Sequence, residues 1–282
     1  MFENLLNQFR IRQFIAGIAG LLLGLLLNIA SDWLSGAGNF MIPIVAVGFV
    51  VALVVNGYLW LRRPARVGLQ LEPPDILDEA AKPEKARRGL IVFVSLYSPQ
   101  SKSSASSLKL EERVEAAKSK NYKELDFENS DLATTVKAII AHASTLEHCW
   151  LIATISRANE SSSSLLYVPA LIELLKEKYG MHCKFHFGEE FAVTIDDDAL
   201  IFSKTIDIVN RIFKLGKEEG LREKDFVVDF TAGMRSMTLG AILACLDHDR
   251  NIQMIGTKYD AEGRPQGPLF PIIFSFKPIL RE

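Results

Sequence analysis

Leu90–Ser95 reads LIVFVS and Cys149–Ile155 reads CWLIATI. Both are short, unbroken apolar runs rich in β-branched residues, the pattern of a strand covered on both faces. Helical and strand patterns alternate around them. A helix is expected over Leu108–Ser119 and a second from an N-cap at Asp131 to about Glu147. After CWLIATI, the loop Ser156–Ser164 leads to a helix ending at Gly180, a residue suited to the left-handed C-cap. His182–Phe187 is expected as a strand and Ala199–Glu219 as a long helix ended by Gly220. The acidic run Asp196, Asp197 and Asp198 ahead of that helix reads as capping and dipole compensation. Phe226–Phe230 (FVVDF) is a further strand, Met234–Asp247 a helix, and Ile252–Thr257 and Leu269–Phe276 the last strands. Such alternation implies an α/β fold, a Rossmann-like doubly wound, mainly parallel sheet. Ligands of such sheets sit outside the carboxyl ends of the strands.

The chain has 282 residues, 49% of them hydrophobic, 23% charged, and a net charge of −2. That apolar content is high for so many charges, and the excess lies at the N-terminus. Phe14–Ala30 is apolar or Gly apart from Asn28, and Phe40–Leu61 is interrupted only by Asn56. As helices these runs reach roughly 25 and 33 Å, against a hydrocarbon core of about 30 Å. Two transmembrane helices are therefore expected, at about residues 14–34 and 40–61. A cleaved signal peptide would have a shorter apolar region and no second span so close behind. Arg10 and Arg12 precede the first span, Arg62, Arg63 and Arg66 follow the second, and the connecting loop has no Lys or Arg. The positive-inside rule then places both termini in the cytoplasm, on the inner face of a cell membrane. Gly20 and Gly24, and Gly48 and Ala52, are small-xxx-small pairs that permit close helix approach in lipid.

Residues 1–66 carry five of the 32 basic and two of the 34 acidic side chains, leaving 27 against 32 and a net charge of −5 for the rest. A long nucleic acid is not expected as partner of so acidic a domain. The segment 67–88, with Pro73, Pro74 and Pro83 among acidic residues, reads as a cytoplasmic linker, and 89–282 as the folded domain. The three cysteines form no CxxC and are expected to be reduced core residues.

The most informative loop is Asp229–Met237, DFTAGMRSM, leaving one buried strand and entering a helix. Unpaired N–H groups at a helix start accept phosphate, Gly233 allows a tight turn, and Arg235 can fork onto a phosphate or stack on a base. There is neither a GxxxxGK[ST] nor a GxGxxG after a strand. The alternative is a plain strand-to-helix turn with a Thr cap.

This stretch resembles the D-x-T-G-G-T-K-x-M signature of CARF domains, the Rossmann-like sensors of cyclic oligonucleotides in type III CRISPR systems. A similar signature occurs in SAVED domains. Asp229, Thr231, Gly233 and Met237 match, while Ala232, Met234 and Arg235 stand for Gly, Thr and Lys. The resemblance implies a homodimer of sensor domains with a two-fold symmetric cyclic oligoadenylate, most of all cyclic tetra-adenylate, across its axis. Ahead of such a sensor, two membrane helices imply an antiviral effector that assembles to a tetramer or higher and perturbs the bilayer. Three loops would line the ligand: Ser95, Tyr97, Ser98, Pro99 and Ser101; Thr154, Ser156, Arg157 and Asn159; and Thr231, Ala232, Gly233, Met234, Arg235 and Ser236. Tyr97 is placed to stack on an adenine. The runs Ser103–Ser107 and Ser161–Ser164 read as solvated loops except next to the strand ends.

No HExxH or other metal spacing involves the five histidines, and no nucleophile triad stands out. The chain is read as a non-enzymatic, ligand-gated protein without metal or cofactor. A SAVED-type effector for a cyclic trinucleotide and a membrane-tethered ring nuclease remain as alternatives.

Overall fold

In the computed structural model the described residues are Gly20, Gly24, 66–77, 85–195, 197–246 and 250–281. The chain divides into two compact units, 1–66 with 280–282, and 67–279. Of the first, Gly20 and Gly24 are helical and exposed, and the two expected spans otherwise lie outside the described residues. Among the described residues no helix is long and apolar enough to cross a membrane.

LIVFVS supplies β3 (Gly89–Phe93), and CWLIATI supplies β4 (His148–Ile155). They pair in parallel, with Ile91 opposite Trp150 and Phe93 opposite Ile152. Side chains alternate between two cores, as the strand period of two requires. Leu90, Val92, Cys149 and Leu151 enter one core, and Ile91, Phe93, Trp150 and Ile152 the other. Each fully buried side chain of this kind is worth about 1.5–3 kcal/mol.

The first core is closed by α1 (Leu110–Lys118), α2 (Tyr122–Leu125), α3 (Ala133–Ile140) and α4 (Val168–Tyr179). After β5 (Lys184–His186) and β6 (Ala192–Thr194) the chain changes faces. The second core is closed by α5 (Asp198–Glu218) and, after β7 (Phe226–Asp229), by α6 (Arg235–Leu246). Phe226 sits between two glycines: a Cβ at Gly216 of α5 would lie 2.0 Å from its ring, and one at Gly89 2.8 Å. That close approach lets α5 lie flat on the sheet.

β8 (Asn251–Tyr259) and β9 (Pro265–Phe274) form an antiparallel hairpin at one side. With β2 (Asp75–Ile76) at one edge, the order across the sheet is β2-β9-β8-β7-β3-β4-β5, with β6 on the carboxyl half of β4. The pairs among β8, β7, β3, β4, β5 and β6 are parallel, and those made by β9 with β8 and β2 are antiparallel. This is a mixed α/β fold with a mostly parallel eight-stranded sheet, compatible with a Rossmann-like arrangement. Winding runs outward from β3 through β4 and β5, then restarts at β7 on its other side. The switch point therefore lies between β3 and β7.

The segment 67–88 departs from a plain linker. β1 (Arg66–Leu71) pairs with β10 (Phe276–Arg281), and β2 (Asp75–Ile76) joins the main sheet beside β9. Leu77 is buried. Pro73 and Pro74 are tolerated because they precede an edge strand, and a two-residue strand is too short to show a period. The helix expected over 131–147 is only Ala133–Ile140, followed by turns. Its start is held by Ser130, whose Oγ accepts from the Leu132 amide, rather than by Asp131. At α5, Asp197 is the cap, its Oδ1 accepting from the amides of Ala199 and Leu200.

Candidate ligand site at the switch point

The loops after β7, β3 and β4 leave adjacent parallel strands at their carboxyl ends. The β7–α6 loop is the tightest. Gly233 has φ +97°, left-handed territory that favours glycine, and a Cβ there would lie 3.3 Å from the Phe93 Cβ. The turn is thus pressed against the end of β3, while Gly233 remains exposed. Ala232 is buried, and Thr231 and Met234 are half-buried.

Asp229 ends β7 and is 1% exposed. Its Oδ1 accepts from the Thr231 amide at 2.9 Å and its Oδ2 from Gln253 Nε2 at 2.9 Å. Burial pushes its carboxyl up to about 6, against the opposing pull of the hydrogen bonds from Gln253 and Thr231. Thr231 Oγ1 in turn accepts from the Ile255 amide at 2.6 Å. The motif's Asp and Thr therefore hold the loop to β8, and only the turn and the start of α6 face outward.

Arg235 and Ser236 open α6 and line a cleft of about 430 Å³ with Asp198, Ala199, Phe202 and Leu239. Two helix starts, those of α5 and α6, meet there; Asp197 caps the Ala199 and Leu200 amides of α5, so the start of α6 is the one that presents free amides to the cleft. Arg235 is exposed and has no ion-pair partner among the described residues, and the Ser236 hydroxyl is buried without one. Asp198 adds a carboxylate, an acceptor able to meet an amino or hydroxyl donor. Asp198, Ala199, Phe202 and Leu239 were missing from the sequence reading. The only signal for them was the acidic run before α5, which reads equally as capping.

The other two loops divide. Ser95 and Pro99 are half-buried, and Ser98 and Ser101 are exposed after β3. Tyr97 is turned inward instead. It is 6% exposed, its hydroxyl donates to the Leu125 carbonyl, and its ring stacks on Tyr167 at 4.9 Å and meets Phe127 edge-on. It is a core residue, and stacking on a base would require its removal from that core. Thr154 is likewise buried, its amide and hydroxyl both bonded to Ser164 Oγ.

Ser156 donates its amide to Ser163 Oγ, and Asn159 caps a 3₁₀ turn over Glu160–Ser162. Arg157 is exposed. The Ser-rich runs are thus partly structural: buried Ser163 and Ser164 accept from the Ser156 and Thr154 amides where the chain leaves β4, and buried Ser103 donates to Asp126 and accepts from the Ala105 amide. The cleft therefore gathers Arg235, Ser236 and Leu239 of α6 with Asp198, Ala199 and Phe202 of α5, and does not include Tyr97 or Thr154.

No group of three or more potential metal ligands occurs among the described residues. No family model matches the chain, and no curated protein matches it.

Proposed function

We propose that this chain is a membrane-anchored, ligand-gated effector whose α/β domain binds a cyclic oligoadenylate, most of all cyclic tetra-adenylate. The observation that carries the reading is the β7–α6 turn: an exposed left-handed Gly233 followed by Arg235 at a helix start, beside the switch point of a mostly parallel sheet. A phosphate there would meet unpaired amides and one guanidinium, and Asp198 offers an acceptor to an adenine amino group. In a domain of net charge −5 a polyanion has to be held by such local groups rather than by a broad basic field. Resemblance of DFTAGMRSM to the CARF signature supplies the ligand class.

In this proposal the two apolar N-terminal runs anchor the protein in the inner membrane with both termini cytoplasmic, and ligand binding to a homodimer drives further assembly and bilayer perturbation. A ligand can shift that equilibrium only by its differential affinity for the two states.

Calorimetry of the full chain in detergent with cyclic tri-, tetra- and hexa-adenylate tests this. The full chain is required, since a fragment beginning at residue 88 would lose β2 from the sheet. Binding of cyclic tetra-adenylate, weakened at least tenfold by Arg235→Ala, is expected. Binding of none of the three refutes the proposal, and preference for the cyclic trinucleotide moves it to a SAVED-type effector.

A further inference from the structure

A chain of buried polar groups runs from the candidate ligand turn to the turn that follows α3 and the stretch before β3. Asp229 and Gln253 are directly opposite on β7 and β8, and Gln253 Nε2 donates to Asp229 Oδ2 at 2.9 Å. The other end of the Gln253 amide, Oε1, lies 2.8 Å from His142 Nε2. His142 Nδ1 accepts from the Arg87 backbone amide at 3.0 Å. Asp229, Gln253 and His142 are each at most 1% exposed.

The donor and acceptor roles in this chain are forced. An ionised carboxylate only accepts, so Gln253 must turn its NH₂ to Asp229 and its oxygen to His142. His142 must then carry its proton on Nε2, which leaves Nδ1 as the acceptor that the Arg87 amide needs. Arg87 lies on the stretch between β2 and β3, by which the chain arrives from its N-terminal part.

We propose that this chain is a directional relay: the donor or acceptor character of Asp229, beneath the candidate ligand turn, sets the tautomer of His142 and thereby whether the Arg87 amide is held. Gln253 and His142 are positioning residues in it. The relay itself is independent of any ligand; its use in signalling rests on the function proposed above.

Turning Asp229 into a group that donates toward Gln253 reverses every member. In Asp229→Asn, Oδ1 stays with Thr231, whose backbone amide is a donor that an NH₂ group cannot meet. Nδ2 then faces Gln253, whose amide rotates to accept. The Gln253 NH₂ now faces His142 Nε2, the imidazole proton moves to Nδ1, and the Arg87 amide loses its acceptor. The mismatch settles at Arg87 because that residue is only partly buried, so water can reach it. In Asp229→Asn/Gln253→Glu the carboxylate is moved one place along: one oxygen accepts from Asn Nδ2 and the other from His142 Nε2, and the original tautomer returns.

The test uses the full chain with isotope-labelled histidine. The nitrogen shifts of His142 report its tautomer, and amide exchange reports Arg87. Expected are the Nε2–H form with a protected Arg87 amide in the wild type, the Nδ1–H form with at least tenfold faster Arg87 exchange in Asp229→Asn, and recovery of both in the double variant. An Nδ1–H tautomer in the wild type or in the folded double variant overturns the relay, as does an unchanged tautomer in folded Asp229→Asn. Should Asp229→Asn fail to fold, the wild-type and double-variant readings still decide. None of these outcomes depends on whether a cyclic oligoadenylate binds.

Discussion

Asp229 and His142 give opposite pH dependences, and separating them is a demanding check on the buried network. Burial lowers His142 from its ordinary 6.5 to about 4, against the Gln253 hydrogen bond and with help from the Arg87 charge. Burial raises Asp229 from 3.8 to about 6. Below pH 6.5 the unfolded chain takes up a proton on His142 that the folded one refuses. This contribution is therefore complete above 6.5 and is lost as the pH falls to about 4, by on the order of 3 kcal/mol. The folded chain keeps a proton on Asp229 that the unfolded one releases above 3.8. That contribution is complete below about 4 and is lost as the pH rises to about 6, again by on the order of 3 kcal/mol. Between pH 4 and 6 the two nearly cancel in the wild type. Asp229→Asn removes the acid's contribution, so its stability relative to wild type should fall by on the order of 3 kcal/mol between pH 6 and 4. Other carboxylates titrate equally in both proteins and drop out of the difference. The assay is urea unfolding followed by Trp150 fluorescence, with the other two tryptophans, Trp33 and Trp60, replaced by Phe in both proteins. Parallel stability curves from pH 4 to 6 would refute the argument.

Three further outcomes follow from the packing. Gly216→Ala should destabilise by about 1–3 kcal/mol in the same urea assay, since its Cβ would sit 2.0 Å from the Phe226 ring; an unchanged midpoint would show that α5 does not press on β7. Trp150→Phe, followed by circular dichroism, should cost less than about 2 kcal/mol, because the indole N–H is buried without a partner and its removal offsets part of the lost area; a loss near that of a large-to-Ala change would contradict this. Ser164→Ala should cost about 1–3 kcal/mol by leaving the buried Thr154 amide without an acceptor, whereas Ser161→Ala, half-buried with its hydroxyl bonded only to the exposed Asn159, should stay within about 0.5 kcal/mol; equal effects would mean that the Ser-rich loop is uniformly solvated.

The legibility of the site followed the range of its interactions. DFTAGMRSM could be placed between strand and helix because a buried strand, a glycine turn and a helix start are local patterns. The inward turn of Tyr97 could not be read, since a tyrosine after a strand suits a wet loop as well as a core, and Phe127 and Tyr167 decide between them from 30 and 70 residues away. Asp198 and Phe202 join Arg235 only because α5 and α6 pack on one face with their starts together. The serines after β4 misled for a related reason: a hydroxyl bonded to a strand amide and one in water have the same sequence.

Apart from the short strands β1, β2, β6 and β10, the sequence by itself determined the types of the main strands and helices from β3 to β9. It also determined the two-sided burial of β3 and β4, the charge division between the N-terminal apolar runs and the acidic remainder, and the turn before α6. All of these are written in runs and periods shorter than a single element. Only the tertiary structure decided that β2 closes the sheet edge and that β3 lies between β7 and β4. It also decided that Arg87, His142, Asp229 and Gln253 form one buried chain, with His142 and Gln253 separated by 111 residues. Those outcomes depend on strand order and register, and a polar side chain acquires a buried partner only after distant strands have been brought side by side.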